Sequence, residues 1–418
     1  MEVATAHAPA SVARLAGIPW RALAGLAPAL DGPLAEVLAG GPADAVLDRL
    51  LRSRRALSRV ERRVVAEAVF GVALWRRRLA HHAGKAALPR TLLACLLRDL
   101  AEVEDAEAIC GLPEGSLPPR VPPPPAVADF FSLPDWLGEV LWREAGARAT
   151  RLADALNLPG PVFIRANRAR VERDALAARL AEEGLLSRQG RFAPDALEVV
   201  SPRPNVLALP SYREGLFEVQ DEGSQLAGEA VGAEPGDRVL DLCAGAGGKA
   251  LLLAAALRGR GEVCACDVDA ARLDRLARRA ARARAAVRVG GAAPPAGTRF
   301  DRVLVDAPCS ALGALRRGPG ERFRIDPGSF AALPALQLDL LLRGAAALRP
   351  GGRIVYATCT LRSEENEDVA IAFERARPDL RRVPPIGRAE LLDGAGFMKL
   401  RPDLHGTDGF FVAAWQSA

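Results

Sequence analysis

From Asp237 to the C-terminus the sequence alternates between short apolar runs and longer segments of helical period. No other feature restricts the fold as strongly. Strand-length runs occur at Arg238–Leu242, Glu262–Cys266, Val287–Val289, Arg302–Val305, Arg353–Ala357 and Phe410–Ala414. Helical patterns lie between or beside them at Lys249–Leu257, Ala270–Arg284, Leu333–Leu348 and Glu364–Arg377. Strands separated by helices need right-handed crossovers, so the expectation is an α/β fold built on a mostly parallel, doubly wound sheet. Ligands of such sheets gather beyond the C-terminal ends of the strands, which makes the residues ending these runs the first to inspect.

The first run ends in Cys243-Ala244-Gly245-Ala246-Gly247-Gly248-Lys249, a glycine-rich turn leading into a helix. Glycines let the backbone approach a ligand closely, and a helix N-terminus presents free N–H groups. The spacing is not GxGxxG, and alone it would equally describe an ordinary tight turn. The second run ends in Asp267, 22 residues after Gly245, where a carboxylate can accept hydrogen bonds from both hydroxyls of a ribose. Together the two features point to a nucleoside-bearing cofactor. No phosphate-binding lysine–Ser/Thr pair follows, which leaves S-adenosylmethionine or NAD.

Two further strand ends carry thiols: Asp306-Ala307-Pro308-Cys309 and Thr358-Cys359-Thr360. A single cysteine is ordinarily a small buried apolar residue. Two of them, each at a strand end behind a cofactor loop, read instead as presented sulfurs.

The N-terminal half is organised differently. Residues 1–33 are rich in Ala and Pro and receive no assignment. From residue 34 to 116 the pattern is helical, with Leu57, Val60, Val64, Ala68, Val72, Trp75 and Leu79 on one stripe. Leu117–Ala126 holds six prolines and reads as a stiff linker and domain boundary. A connecting α/β region, residues 127–210, precedes the alternating part at 211–418. The chain carries a net charge of +5, and seven cysteines without a CxxC pair plus four histidines make a disulfide framework or a zinc site unexpected. With no apolar run long enough for a bilayer and no signal-like start, a soluble cytoplasmic protein without metal is expected. Arginine is clustered: Arg52, Arg54, Arg55, Arg59, Arg62 and Arg63 stand against one glutamate, and Ala271–Arg288 holds seven arginines against one acid. Two such clusters favour a nucleic-acid partner over plain solvated helix faces.

The segments DLCAGAGGK, ACDVD, DRVLVDAPCSALG and YATCTLRSEEN, in this order and followed by GTDGFFVA, resemble the signatures of the NOL1/NOP2/Sun RNA (cytosine-C5) methyltransferases. The resemblance covers about Ser211–Trp415. RALSRVERRVVAEAVFGVALWRRRL is similar to the NusB-type helical RNA-binding domain found ahead of RsmB-type members, and SLPDWL and VFIRAN are similar to their connecting region. The resemblance implies a Rossmann-like methyltransferase domain, S-adenosyl-L-methionine as cofactor and small-subunit rRNA as partner, at a site of the cytosine-967 type; a monomer is expected, although the sequence does not itself give the oligomeric state. The resemblance further implies Cys359 as nucleophile at cytosine C6, Cys309 as helper in release, and Asp306 as partner of the base edge and the cofactor. Cys243, Ala244, Gly245, Ala246, Gly247, Gly248, Lys249 and Asp267 would line the cofactor. Three departures stand out: Ala246 where proline is common, Gly291 where an acid commonly meets the adenine amine, and a segment Leu312–Arg322 without the usual threonine and His-Pro-Asp run. The alternatives are a non-catalytic RNA-binding assembly factor that keeps the fold, or the same chemistry on another RNA such as tRNA. Because PCxxC and HxE are absent, the chain does not read as a zinc deaminase.

Overall fold

The computed structural model describes residues 8–84, 88–201, 205–318 and 320–417. The chain forms two compact units, Met1–Pro159 with Leu315–Pro327, and Gly160–Ala314 with Gly328–Ala418.

The first unit is helical. Its longest helix, Arg59–Ala83, starts where Ser58 and Glu61 cap each other: the Glu61 N–H donates to Ser58 Oγ (3.2 Å) and the Ser58 N–H to Glu61 Oε2 (2.7 Å). Val64, Ala68, Val72, Trp75 and Leu79 are buried along it, as their spacing predicts. Val60, in the first turn, departs from that stripe and is 48% exposed. Residues 10–30, which the sequence leaves unassigned, form short helical turns that add Leu15, Trp20, Leu23 and Leu30 to the same core. Residues 1–7 lie outside the described part.

The proline-rich stretch forms neither helix nor strand, as its prolines require. It lies inside the first unit, which continues to Pro159, so the expected 127–210 region falls across both units. Proline removes N–H donors but leaves carbonyls, and these carbonyls are used. Arg98 Nη1 donates to Pro118 O (2.6 Å), and His81 Nε2 lies 3.0 Å from Pro122 O. The stretch is a strap laid on the helices rather than a free spacer.

The second unit contains two sheets. The smaller is antiparallel, formed by β1 (Phe163–Ala166), β2 (Ser187–Gln189), β3 (Ala196–Val199) and β4 (Phe217–Val219) in the order β2-β3-β1-β4. The larger comprises β5 (Arg238–Asp241), β6 (Glu262–Cys266), β7 (Val287–Gly291), β8 (Phe300–Asp306), β9 (Leu348–Thr358), β10 (Leu380–Val383), β11 (Met398–Leu400) and β12 (Phe410–Ser417). Its order is β10-β12-β9-β8-β5-β6-β7, with β11 beside β12. Strands β5 to β9 pair in parallel; β10, β11 and β12 add antiparallel edges.

Period-two burial explains the double winding. Val239, Val263, Ala265, Leu304 and Val355 face the helices Gly248–Ala256 and Ala270–Ala283. Leu240, Cys264, Val303, Val305 and Ile354 face Leu333–Ala346 and Glu367–Ala376. The last of these helices begins three residues later than its sequence pattern predicts, after a separate turn at Ser363–Glu365. Strand order reverses between β5 and β8, so a crevice opens beyond their C-terminal ends.

Candidate active site

The turn after β5 is shaped by two glycines in the left-handed region, Gly245 (φ 54°) and Gly247 (φ 88°). At Gly247 packing adds a second requirement, since a Cβ there would stand 2.6 Å from Leu276 Cγ. The turn is fastened to the end of β6. The Gly245 N–H donates to Asp267 Oδ2 and the Asp269 N–H to Asp267 Oδ1, both at 2.8 Å. Two arginines hold its carbonyls from outside: Arg279 Nη1 donates to Ala246 O (2.6 Å) and Arg165 Nη1 to Gly248 O (2.8 Å). Sequence reading gives neither role, because Arg279 sits in a run that resembles a solvated basic face and Arg165 in an apolar strand. Arg165 is fully enclosed, and burial pushes its pKa down to about 10.

Lys249 points inward from the first turn of its helix. Its Nζ donates to Asp306 Oδ2 (2.7 Å) and lies 5.2 Å from the centre of the Phe410 ring. Burial works against the ammonium, but Asp306, through charge and hydrogen bond, and then Cys359 outweigh it and raise its pKa. Beneath them Asp241 is wholly buried, with no hydrogen-bond partner for either carboxylate oxygen among the described residues. Desolvation first, and the nearby Asp306 second, push its pKa up to about 8. Asp241 lies inside the run Arg238–Leu242, and the sequence reading gives it no role.

Cys359 follows directly on β9, whose Thr358 is in register with Phe411 of β12. The Gly313 N–H donates to Cys359 O, and the Gly409 N–H to Gly313 O, both at 2.9 Å. A Cβ on Gly313 would fall 2.3 Å from Gly409 O, so backbone packs on backbone beside the thiol. Gly409, the residue just before β12, is confined in the same way, since a Cβ there would lie 2.9 Å from Gly313 Cα. Cys309 Sγ lies 3.5 Å from Cys359 Sγ, and the Cys359 N–H donates to Cys309 Sγ at 3.4 Å. The hydrogen bond with Cys359, then burial and the Cys359 charge, hold the Cys309 pKa well above the ordinary thiol value.

These groups share one open cavity of about 410 Å³. Its lining includes Cys243, Ala244, Gly245, Ala246, Gly248, Lys249, Asp267, Asp306, Cys309 and Cys359. Gly247 alone of the sequence-derived set is not in the lining; it turns the backbone behind it. Gln220, Ser224, Arg272 and Arg279 add polar side chains to the wall. Gln220 and Ser224 come from the segment joining the small sheet to the large one, which carries no motif of its own. Val268, next to Asp267, is 87% exposed. Among the described residues no cluster of three or more His, Cys, Asp or Glu could hold a metal.

Residues 230–416 match the family model described as 16S rRNA methyltransferase RsmB/F, and residues 133–205 match the ferredoxin-like domain of RsmF/B-like methyltransferases. A ribosomal RNA small subunit methyltransferase B of Xanthomonas campestris is 36% identical over 297 residues, 69% of this chain and 67% of that protein. The chain belongs to the RsmB/F family. The fold of this RsmB/F chain recurs in solved structures. That of PH0851 has a TM-score of 0.75 at 22% identity and covers 100% of both chains. A methyltransferase homolog from Pyrococcus horikoshii has a TM-score of 0.61 at 26% identity, covering 70% of this chain and 98% of that one. As the motifs lead one to expect, the large sheet is that of a Rossmann-like methyltransferase.

The arginines of the first cluster have separate fates. Arg52 pairs with Asp48. Arg62 turns back on the end of the preceding helix and the loop after it, donating to the carbonyls of Leu57 (3.1 Å), Leu51 (3.4 Å), Arg54 (3.3 Å) and Arg55 (3.0 Å). Arg59 is exposed and engaged. Arg54, Arg55 and Arg63 are exposed.

Proposed function

We propose that this chain transfers a methyl group from S-adenosyl-L-methionine to C5 of a cytosine in small-subunit rRNA, at a site of the cytosine-967 type, through a covalent adduct of Cys359 with C6. The observation that carries the reading is the pair of thiols 3.5 Å apart on the wall of the cavity that also holds the glycine turn and Asp267. The curated relative's name supplies the RNA class.

The residues present fit the cofactor. Asp267 has each oxygen bound by one backbone N–H and keeps lone pairs for ribose hydroxyls. Exposed Val268 offers an apolar face for an adenine, and Gly291 leaves the adenine amine to backbone. When bound, the cofactor supplies an electrophilic methyl group.

Cytosine C5 needs activation before it can accept that methyl. The Cys359 thiolate adds to C6, forming the S–C6 bond and shifting the C5=C6 pair towards C5. Asp306, steadied by Lys249, accepts hydrogen bonds from the protonated N3 and the exocyclic amine. For release, the Cys309 thiol first gives up its own proton to solvent, and its thiolate sulfur then takes the C5 proton. The C5–H pair closes the C5=C6 double bond, and the S–C6 pair leaves on Cys359. The raised pKa of Cys309 suits this order. Its first cause is the neighbouring Cys359 sulfur, and that cause disappears once Cys359 is bonded to C6, so Cys309 becomes easier to ionise at the step where a base is needed. A reactive base must be taken out of its stack, so the RNA target is a loop or a remodelled helix. The helical unit, with exposed Arg54, Arg55 and Arg63, would track its phosphates. Such a substrate belongs in the cytoplasm. No helix of the described residues is long and apolar enough to cross a membrane.

Cys359→Ala is expected to abolish methyl transfer while RNA binding persists; turnover near the wild-type level would overturn the reading. Cys309→Ala is expected to accumulate a protein–RNA adduct, seen as a slower band on a denaturing gel. A second reading, a non-catalytic assembly factor, is favoured only by Gly291. Calorimetric titration separates the two, since absence of binding at millimolar cofactor would support the factor.

A further inference from the structure

The stretch Leu361–Asn366 follows the Cys359 motif and has no task in the scheme above. Glu365 within it is completely buried. Its carboxylate accepts hydrogen bonds from the Ser310 N–H (2.9 Å), Ser310 Oγ (2.5 Å), Gln337 Nε2 (3.0 Å) and Arg362 Nη1 (3.1 Å). The same Gln337 amide donates to Pro308 O at 2.9 Å. Cys309 is therefore gripped on both sides, before it by Gln337 and after it by Glu365. Ser310 Oγ also lies 2.6 Å from Thr360 Oγ1, on the residue after Cys359. Tyr356 OH closes the network by donating to Glu365 O (2.6 Å).

We propose that Glu365 is a positioning residue that fixes Cys309 opposite Cys359 and thereby governs release of the methylated base. This rests on the two-thiol reading above and adds a residue to it. The asymmetry of the two supports decides which step depends on Glu365. Cys359 is anchored without it: β9 pairs with β8 on one side and β12 on the other, and Gly313 holds the Cys359 carbonyl. Cys309 lies beyond the last paired residue of β8, Asp306, which is in register with Ala357. Among the described residues the backbone flanking Cys309 is held by the Ala307 N–H on Ala357 O, by Gln337 on Pro308 O and by Glu365 on the Ser310 N–H, while the Cys309 sulfur accepts from the Cys359 N–H. Removing the Glu365 carboxylate leaves the nucleophile on its ladder and loosens the base. Addition of Cys359 to C6 continues. Transfer of the C5 proton to Cys309, which lets the C5=C6 bond close and the S–C6 pair depart, slows.

The test uses the full chain, a small-subunit rRNA fragment and S-adenosylmethionine, with covalent adduct and methylated product measured in the same reaction. Cys309→Ala and Cys359→Ala serve as references. Glu365→Ala is expected to raise the adduct-to-product ratio about tenfold towards that of Cys309→Ala. Glu365→Gln, which keeps one acceptor oxygen, should fall between, and KM for RNA should hold. A purely structural role would lower adduct and product together and leave their ratio at the wild-type value; that result overturns the inference. Should Glu365→Ala fail to fold, Glu365→Gln and Gln337→Met carry the test by the same ratio. Turnover by Cys359→Ala would instead bring down the two-thiol reading. Inactive Cys359→Ala, trapped Cys309→Ala and an unchanged ratio in Glu365 variants would bring down this inference alone.

Discussion

Two segments of this chain have nearly the same arginine-rich composition and opposite uses. In Ala270–Ala283 the arginines at one edge point into the protein. Arg279 and Arg282 both pair with Glu218 of β4, Arg279 also holds the Ala246 carbonyl of the cofactor turn, and Arg282 donates to Tyr212 O and stacks 3.7 Å above its ring. In the Arg52–Arg63 segment Arg62 turns back to hold backbone in this way, while Arg54, Arg55 and Arg63 are exposed. The difference lies in a single acid. Glu218 stands 61 positions from Arg279 and 64 from Arg282 in sequence and arrives through tertiary packing, so the local charge count cannot reveal it. A run of arginines predicts a nucleic-acid surface only where no distant carboxylate has claimed it.

The largest test of that contrast is Glu218→Ala. The Glu218 side chain is 4% exposed, and its two partners are 26% and 16% exposed. Removing the acid leaves two guanidiniums poorly solvated and unpaired, which should destabilise the protein by about 3–5 kcal/mol, read from denaturant unfolding. Arg279 would also lose part of its anchorage on the cofactor turn, so cofactor affinity should fall with stability. A loss within about 0.5 kcal/mol, the range of ordinary surface substitutions, would mean that these arginines are solvated like the others and would break the comparison.

Asp241 sharpens it from the opposite side, as a buried acid that no arginine has claimed. Its pKa of about 8 lies above the ordinary carboxylate value, so the folded protein holds a proton that the unfolded chain has released. Stability should therefore fall as pH rises from about 4 to about 8. Asp241→Asn removes the titration. It should flatten that decline and leave the variant more stable than wild type at pH 8, by about 1–3 kcal/mol. Thermal melts at pH 5 and pH 8 measure it, and parallel pH slopes for both proteins would contradict the assignment.

These residues also mark how far the sequence could be read. The parallel core was legible because Val239, Leu240, Val303, Leu304, Ile354 and Val355 lie in continuous apolar runs, the mark of strands covered on both faces. The site was legible at its strand ends, where Asp267, Asp306 and Cys359 lie at or just past the close of such runs and Cys309 follows Asp306 by three residues. What escaped depends on approach between distant segments. Arg165 on Gly248 O, Arg279 on Ala246 O, and Gln220 in the cavity wall have no local pattern to betray them. Strand β10, Leu380-Arg381-Arg382-Val383, was missed because an edge strand needs no apolar run; Arg382 is satisfied by Glu374 instead. The contacts of the proline stretch with Arg98 and His81 escaped for a related reason. Proline excludes helix and ladder, but it does not exclude packing through carbonyls.

The smallest effect on stability, and the one that isolates RNA binding, is expected from the triple substitution Arg54→Ala, Arg55→Ala, Arg63→Ala. Exposed charges contribute little to folding, so the melting transition should stay within about 0.5 kcal/mol of wild type. If the three side chains track phosphates, affinity for an rRNA fragment should drop, and the slope of log affinity against log salt should flatten by about 0.7–0.9 for each phosphate no longer neutralised. Arg62→Ala provides the control on the same segment. It should cost stability, because four carbonyls lose their donor, and it should leave the salt slope nearly unchanged. If the triple variant bound RNA with an unaltered slope while Arg62→Ala flattened it, inward and outward arginines would have exchanged roles. Phosphate binding would then have to be sought on the exposed Arg275 and Arg278 of the other cluster.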